Sequence, residues 1–167
     1  MTQPLLIVSS KTGNTRIIAH GVADDLSHVQ FFAAQEAPED LSGTGPVGLF
    51  FWCDRGMSPE DIQAVAKRLK NRRVACFCSM GGDPTSEKAL DWMHRTSEAL
   101  VALGDNCTLV GTFLCQGRID PKLFDAMTKM AGGKVTPERE ARRQAADKHP
   151  DRMDVVHAVE AWHRFFD

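Results

Sequence analysis

Apolar residues fall into short continuous runs that alternate with stripes at helical spacing. Pro4 to Val8 is one such run, the pattern of a strand buried on both faces. Ile17, Ile18, Gly21, Val22 and Leu26 then recur at helical spacing, and Val29 to Phe32 predicts a short second strand. Ala33 to Gly45 carries breakers at Pro38, Gly43 and Gly45, with Pro46 following, and predicts a loop or weak helical turn. Val47 to Trp52 is a third buried run. Ser58-Pro59-Glu60-Asp61 predicts a helix start, with Ser58 as N-cap and Pro59 at the first helical position. Ile62, Val65, Ala66 and Leu69 form the apolar face of that helix. Arg73 to Cys78 predicts a fourth strand and Ser79 to Pro84 a glycine-rich loop. Thr85 to Leu103 predicts a helix with Leu90, Met93, Leu100 and Leu103 inward and Gly104 as its stop. Thr108 to Leu114 is the fifth strand, and a last helix over about Asp151 to Phe166 carries Val155, Val159, Trp162 and Phe166 on one stripe.

Strands alternating with helices predict a parallel sheet with helices on both faces, an α/β fold in a single domain spanning 1–167. Residues 115–150 stand apart as a helical insertion between the fifth strand and the last helix. Helices are expected there near Pro121 to Met130 and Pro137 to Lys148, separated by Gly132-Gly133.

Composition narrows the function. A net charge of −2 without a basic stripe argues against nucleic acid as a partner. No apolar run approaches the ~20 residues of a membrane span, and Leu5 to Val8 is too short for a signal core, so a cytoplasmic protein is expected. Five cysteines without paired spacing fit a reducing compartment. Cys76 and Cys78 share one face of a strand and read as small buried hydrophobes. The six histidines form no metal motif.

The chemistry concentrates at Ser9 to Thr15 (Ser-Ser-Lys-Thr-Gly-Asn-Thr), where the first strand turns into the first helix. Free backbone N–H groups and the positive end of the helix dipole make such a turn an anion site. Hydroxyls of Ser10, Thr12 and Thr15 complete a cage for a phosphate, and Gly13 allows positive φ or close backbone approach. The alternative is a hydrophilic capping turn with Thr12 or Asn14 as N-cap. The Gly-Lys-Ser/Thr ending of a Walker A loop is absent, as is Gly-x-Gly-x-x-Gly.

Ser10-Lys11-Thr12-Gly13-Asn14-Thr15 resembles the phosphate loop of flavodoxins, Thr/Ser-x-Thr-Gly-x-Thr, at every fixed position. The resemblance implies a doubly wound five-stranded sheet of order 2-1-3-4-5, with FMN bound where the loops after strands 1, 3 and 4 meet. It implies that Trp52, Cys53, Asp54, Arg55 and Gly56 cover one flavin face, with a flexible peptide at Gly56 facing flavin N5. It also implies that Ser79, Met80, Gly81, Gly82 and Asp83 line the pyrimidine edge. The chain has no tyrosine, so the usual outer-face stacking residue is missing; Met80 takes its place or the face stays open to a partner. Net charge is also far less negative than in carrier flavodoxins.

Phe51 to Gly56, Cys115 to Lys122, Thr136 to Arg139 and Lys148 to Asp151 look like a narrower flavodoxin-like subfamily that accompanies flavin-dependent reductases of bilins, bilirubin among them. The implied function is FMN-mediated electron delivery to such a reductase, which docks through the flavin edge and the 115–150 insertion. The protein is then expected to be a monomer or weak dimer. Arg139, Arg142, Arg143 and Lys148 are the candidate docking cations. Arg55 is expected to tune the flavin unless it points into water or pairs with Asp54. Two rivals stand beside this reading: an FMN-dependent NAD(P)H quinone or azo reductase, and an apo scaffold that binds a partner. No acid–base constellation supports the former, since His94 and His149 read as surface residues.

Overall fold

The computed structural model describes residues 2–167. Five strands form one all-parallel sheet of order 2-1-3-4-5: β1 (Leu5–Val8), β2 (Gln30–Ala33), β3 (Val47–Trp52), β4 (Arg73–Met80) and β5 (Thr108–Gln116). Six helices accompany them: α1 (Asn14–Asp25), α2 (Glu60–Ala66), α3 (Glu87–Val101), α4 (Pro121–Met130), α5 (Pro137–Ala146) and α6 (Arg152–Phe166). A single 3-10 turn over Ala34–Glu36 is all the helix between β2 and β3.

Side-chain alternation sorts the strands' apolar residues onto two faces. Leu5, Ile7, Leu49, Phe51, Cys76 and Cys78 pack with residues of α2 and α3. Leu6, Val8, Phe50, Ala75 and Phe77 pack with residues of α1 and α6. Phe50 stacks on Phe77 at 4.6 Å between centroids, and Trp162 of α6 lies 6.1 Å from Phe77. Gly21 allows α1 to lie against α6, since a Cβ there would meet Val155 Cγ1 at 2.3 Å. Cys76 and Cys78 are fully buried, and burial pushes the Cys76 thiol up to about 12.

Several local expectations are corrected. Ser58 does not cap α2: the helix begins at Glu60 with Pro59 at the cap position, and the Ser58 carbonyl instead accepts from Gln63 Nε2 at 2.7 Å. Ser86 caps α3 by accepting from the Ala89 N–H at 3.1 Å, so that helix starts two residues later than its polar lead-in suggested. Leu90 and Leu103 are exposed, as is Ile17 on α1; Ala89, Met93, Ser97 and Leu100 make the buried face of α3. β4 and β5 both run further than expected. Ser79 pairs with Cys115 and Met80 with Gln116, so Ser79 and Met80 are strand residues and the insertion proper starts at Gly117. The two extra helices add only Thr128 and Ala146 to the buried set, and among the described residues neither helix joins the buried clusters on the two sheet faces.

Candidate functional site

The β1–α1 turn is built to leave donors open. Gly13 occupies the N-cap position at φ +98°, and no side chain caps the helix. The Gly13 N–H is satisfied by Ser10 Oγ at 3.1 Å, which closes the turn on itself. Helical bonding starts with the Ile17 N–H donating to the Gly13 carbonyl, 3.1 Å. The N–H groups of Asn14, Thr15 and Arg16 therefore precede any intrahelical acceptor. Thr12 or Asn14 as N-cap is thus corrected. In contrast α3, α4, α5 and α6 each have a side-chain cap, from Ser86, Asp120, Thr136 and Asp151.

The hydroxyls of the turn differ in their surroundings. Ser9 is buried and donates to Asp61 Oδ1 at 2.7 Å, facing α2. Thr15 is buried and shares a 2.9 Å hydrogen bond with Ser79 Oγ, which ties the first loop to the end of β4. Thr12 is exposed. The Asn14 side chain donates to the Arg118 carbonyl at 2.7 Å and anchors the insertion.

Beyond β3 the chain makes a two-residue hairpin turn. Asp54 and Met57 exchange both backbone hydrogen bonds, at 2.8 and 2.9 Å. Arg55 (φ +53°) and Gly56 (φ +82°) occupy its centre with the positive angles of a type I′ turn. The Gly56 carbonyl accepts from Trp92 Nε1 at 2.8 Å, so any rotation of that peptide first breaks an indole bond. Lys11 Nζ lies 5.5 Å from the Trp52 ring centroid. Arg55 is exposed and makes no ion pair among the described residues, so it is not paired with Asp54. Burial raises the Cys53 pKa above its ordinary value, keeping it a thiol.

The third loop is occupied in part by the protein itself. A Cβ at Gly81 would meet Ile119 Cγ1 at 2.7 Å, and one at Gly117 would meet Asn14 Nδ2 at 2.8 Å. Both glycines admit the start of the insertion. Asp83 folds back on Thr85, accepting from its N–H at 2.9 Å and its hydroxyl at 2.7 Å, and the hydroxyl bond leads in lowering its pKa.

These loops converge on one cavity of about 740 Å³. Ser10, Lys11, Thr12, Asn14, Thr15, Trp52, Cys53, Asp54, Arg55, Gly56, Ser79, Met80 and Gly81 line it, whereas Ser9, Gly13, Gly82 and Asp83 do not. The insertion supplies a further wall that the loop motifs did not foretell, including Arg118, Ile119, Leu123 and Met127. A signal for it existed in the i, i+3, i+4, i+7 spacing of Leu123, Ala126, Met127 and Met130. His94 lies outside the cavity in an exposed contact with Glu98. His149 is not a free surface residue: it is half-buried and 2.6 Å from Asp154 Oδ2.

A flavodoxin-domain family model matches residues 5–163, and the chain belongs to that family. It is 26% identical over 164 residues to the flavodoxin-like domain-containing protein BilS of Clostridioides difficile (strain CD3), with 92% of this chain and 90% of that protein covered. The fold resembles a flavoprotein in complex with FMN from Lactobacillus acidophilus NCFM, with a TM-score of 0.51, 11% identity, and coverage of 80% of this chain and all of that one. It also resembles an azoreductase from Bacillus anthracis str. Sterne, with a TM-score of 0.51, 8% identity, and coverage of 96% and 100%.

The fold is thus the flavodoxin-like, FMN-binding one, and the cleft fits that cofactor on its own chemistry. Uncapped helical N–H groups, Thr12 and the Lys11 ammonium suit a phosphate dianion. The cavity falls in the size range of cofactor sites, roughly 300–1,000 Å³, and Trp52, Met80 and Leu123 among its lining suit a flat aromatic ring.

Proposed function

We propose that this protein binds FMN through Ser10, Lys11, Thr12, Asn14 and Thr15 and uses it to pass electrons to a flavin-dependent reductase, with bilins as the final substrates. One observation carries the FMN assignment: the uncapped N-terminus of α1 opens into the same cavity as the Trp52–Gly56 turn and the Ser79–Gly81 edge. FMN supplies the one- and two-electron chemistry when bound. The chain's own residues hold the phosphate, enclose the ring and set the charge around it. The bilin assignment rests on the subfamily resemblance of Phe51 to Gly56 and of the insertion.

Docking of the reductase is assigned to the insertion. Residues 115–150 carry eight Lys and Arg against five Asp and Glu, net +3, while the rest of the chain carries −5. Not all of those cations are available. Arg143 is held by Glu140 and Asp147, and Arg139 and Arg143 both lie over the Phe124 ring, at 5.2 and 5.9 Å. Arg142 is exposed, and its charge is close enough to Asp83 to help lower the Asp83 pKa. The docking charge therefore rests on Arg142 and Lys148 more than on Arg139 and Arg143.

Anaerobic reduction of the purified, FMN-loaded protein tests this reading. The expected result is a flavin spectrum, negligible steady NADPH oxidation by the protein alone, and electron delivery once a reductase is added. Steady NADPH oxidation unaided would make it an enzyme; a colourless protein that refuses FMN would make it a scaffold.

A further inference from the structure

The start of the insertion is pinned to the cofactor loops at four points. Asn14 Nδ2 donates to the Arg118 carbonyl at 2.7 Å, and the Gly117 N–H donates to the Met80 carbonyl at 2.8 Å. Gln116 Nε2 reaches the Gly81 carbonyl at 3.4 Å, and Ile119 fills the space that a side chain at Gly81 would need. Asp120 then caps α4, accepting from the Lys122 N–H at 3.1 Å, with Pro121 at its first position. The orientation of α4 is set by these contacts. Its stripe Leu123, Ala126, Met127 and Met130 lines the cavity that also holds the phosphate turn.

Sheet order places that stripe relative to the other walls. β4 lies between β3 and β5, so the Asp54–Met57 turn leaves the strand on one side of β4, and the insertion leaves the strand on the other side and crosses to Gly81 and Asn14. The β3 end brings Trp52 to the cavity, and α4 brings a row of flexible apolar side chains. Leu123 and Met127 are both 52% exposed and Met130 is 89% exposed, so the described residues leave this stripe largely open. The chain has no tyrosine to cover a ring from the loop after β4. Methionine adapts its shape to an aromatic surface and makes favourable sulfur–ring contacts.

We infer that α4 is the cover of the outer flavin face, with Leu123 and Met127 laid on the ring and Asn14, Gly81 and Gly117 as positioning residues that hold the helix there. The occupant is the isoalloxazine, because the stripe and the phosphate turn share one continuous cavity. This inference rests on the FMN reading above.

Two measurements test it. Peroxide footprinting in the dark compares Met127 with Met153, which is 53% exposed and lies on α6, away from the cavity lining. Saturating FMN is expected to slow oxidation of Met127 several-fold and leave Met153 unchanged. Riboflavin, which has the ring without the phosphate, is expected to protect Met127 equally when saturating. In the second measurement Leu123→Ser/Met127→Ser weakens FMN and riboflavin by the same factor, about tenfold, since the ring alone loses its contact. Unchanged Met127 oxidation at FMN saturation, with saturation verified by the flavin spectrum, would overturn the cover while leaving FMN binding intact. Protection that rises with protein concentration and without FMN would overturn it in favour of a second copy of the chain. Failure to bind FMN at all would remove both readings.

Discussion

The β1–α1 turn and the α4 helix face one cavity but are held in opposite ways. The turn grows from a fully buried strand, and its Thr15 hydroxyl is buried against Ser79. Its donors are fixed before any ligand arrives, which suits a small, charged, directional group. The α4 stripe contributes no buried apolar side chain and offers methionines in place of an aromatic ring. It suits a large flat apolar surface that the wall can mould to. A phosphate needs preset geometry because its hydrogen bonds are directional, whereas a ring needs only contact area.

The largest expected effect breaks the turn alone. Thr12→Ala/Thr15→Ala removes the exposed Thr12 hydroxyl and the Thr15 hydroxyl that bonds Ser79 and, in the proposed site, the phosphate; a bond to a charged acceptor is worth about 1.5–3 kcal/mol, so the pair should weaken FMN by about 10²-fold or more. Thr15→Ala also strands the buried Ser79 hydroxyl, so thermal unfolding of the apoprotein should show a separate cost of about 1–3 kcal/mol. Riboflavin affinity should change much less. An unchanged FMN titration would show that these hydroxyls do not face the phosphate.

A second substitution acts on the junction. Gly117→Ala forces a Cβ onto Asn14 and displaces the amide from the Arg118 carbonyl. Loss of that one hydrogen bond should cost about 0.5–1.5 kcal/mol. FMN and riboflavin should weaken together by a few-fold, because the ring wall shifts and the phosphate donors do not. If FMN weakened while riboflavin did not, the insertion would belong to the phosphate side instead.

Much of the fold was legible because strand burial is two-sided and its signal continuous: β3 spans the residues that its apolar run marks, and α4 the residues between Pro121 and Met130. The ends of β4 and β5 were not legible. Ser79, Met80, Cys115 and Gln116 carry no strand pattern; they pair because the neighbouring strand extends alongside them. The phosphate turn was read from six residues because its chemistry is local. The α4 wall was harder, since it depends on Asn14, Gly81 and Gly117 meeting a segment far along the chain. Gly81 lines the cavity and also admits Ile119.

Arg55 adds a charge at the edge of the same cavity. It is among the cavity's lining residues, exposed and without an acidic partner among the described residues. An exposed charge of this kind is worth about 1 kcal/mol or less, some tens of millivolts against ~59 mV per decade for one electron. Arg55→Gln should lower the potential of the flavin's second one-electron step by that amount and leave FMN affinity nearly unchanged. A redox titration in which the potential stays put or rises would remove Arg55 from the tuning set.

The smallest effect lies away from both walls and serves as their control. Bonds to Asp25, and then to Asp167, raise the His163 pKa above 6.5. A raised folded-state pKa gives stability that is complete below the unfolded value and is lost as pH rises through the folded one. His163→Gln should therefore cost about 0.5 kcal/mol near pH 5.5 and nothing near pH 9, screened as the pair is by solvent. Thermal melts at the two pH values check this, and neither flavin titration should move.

The central claim is that the open donors of the β1–α1 turn select a flavin by its phosphate. Titrating the apoprotein with FMN and with riboflavin under identical conditions measures that directly. Saturable binding of both is expected, with FMN tighter by about 10²-fold or more, the worth of charge-assisted hydrogen bonds from the turn's open donors to the phosphate. Equal affinity for the two flavins, or binding of neither, would contradict it.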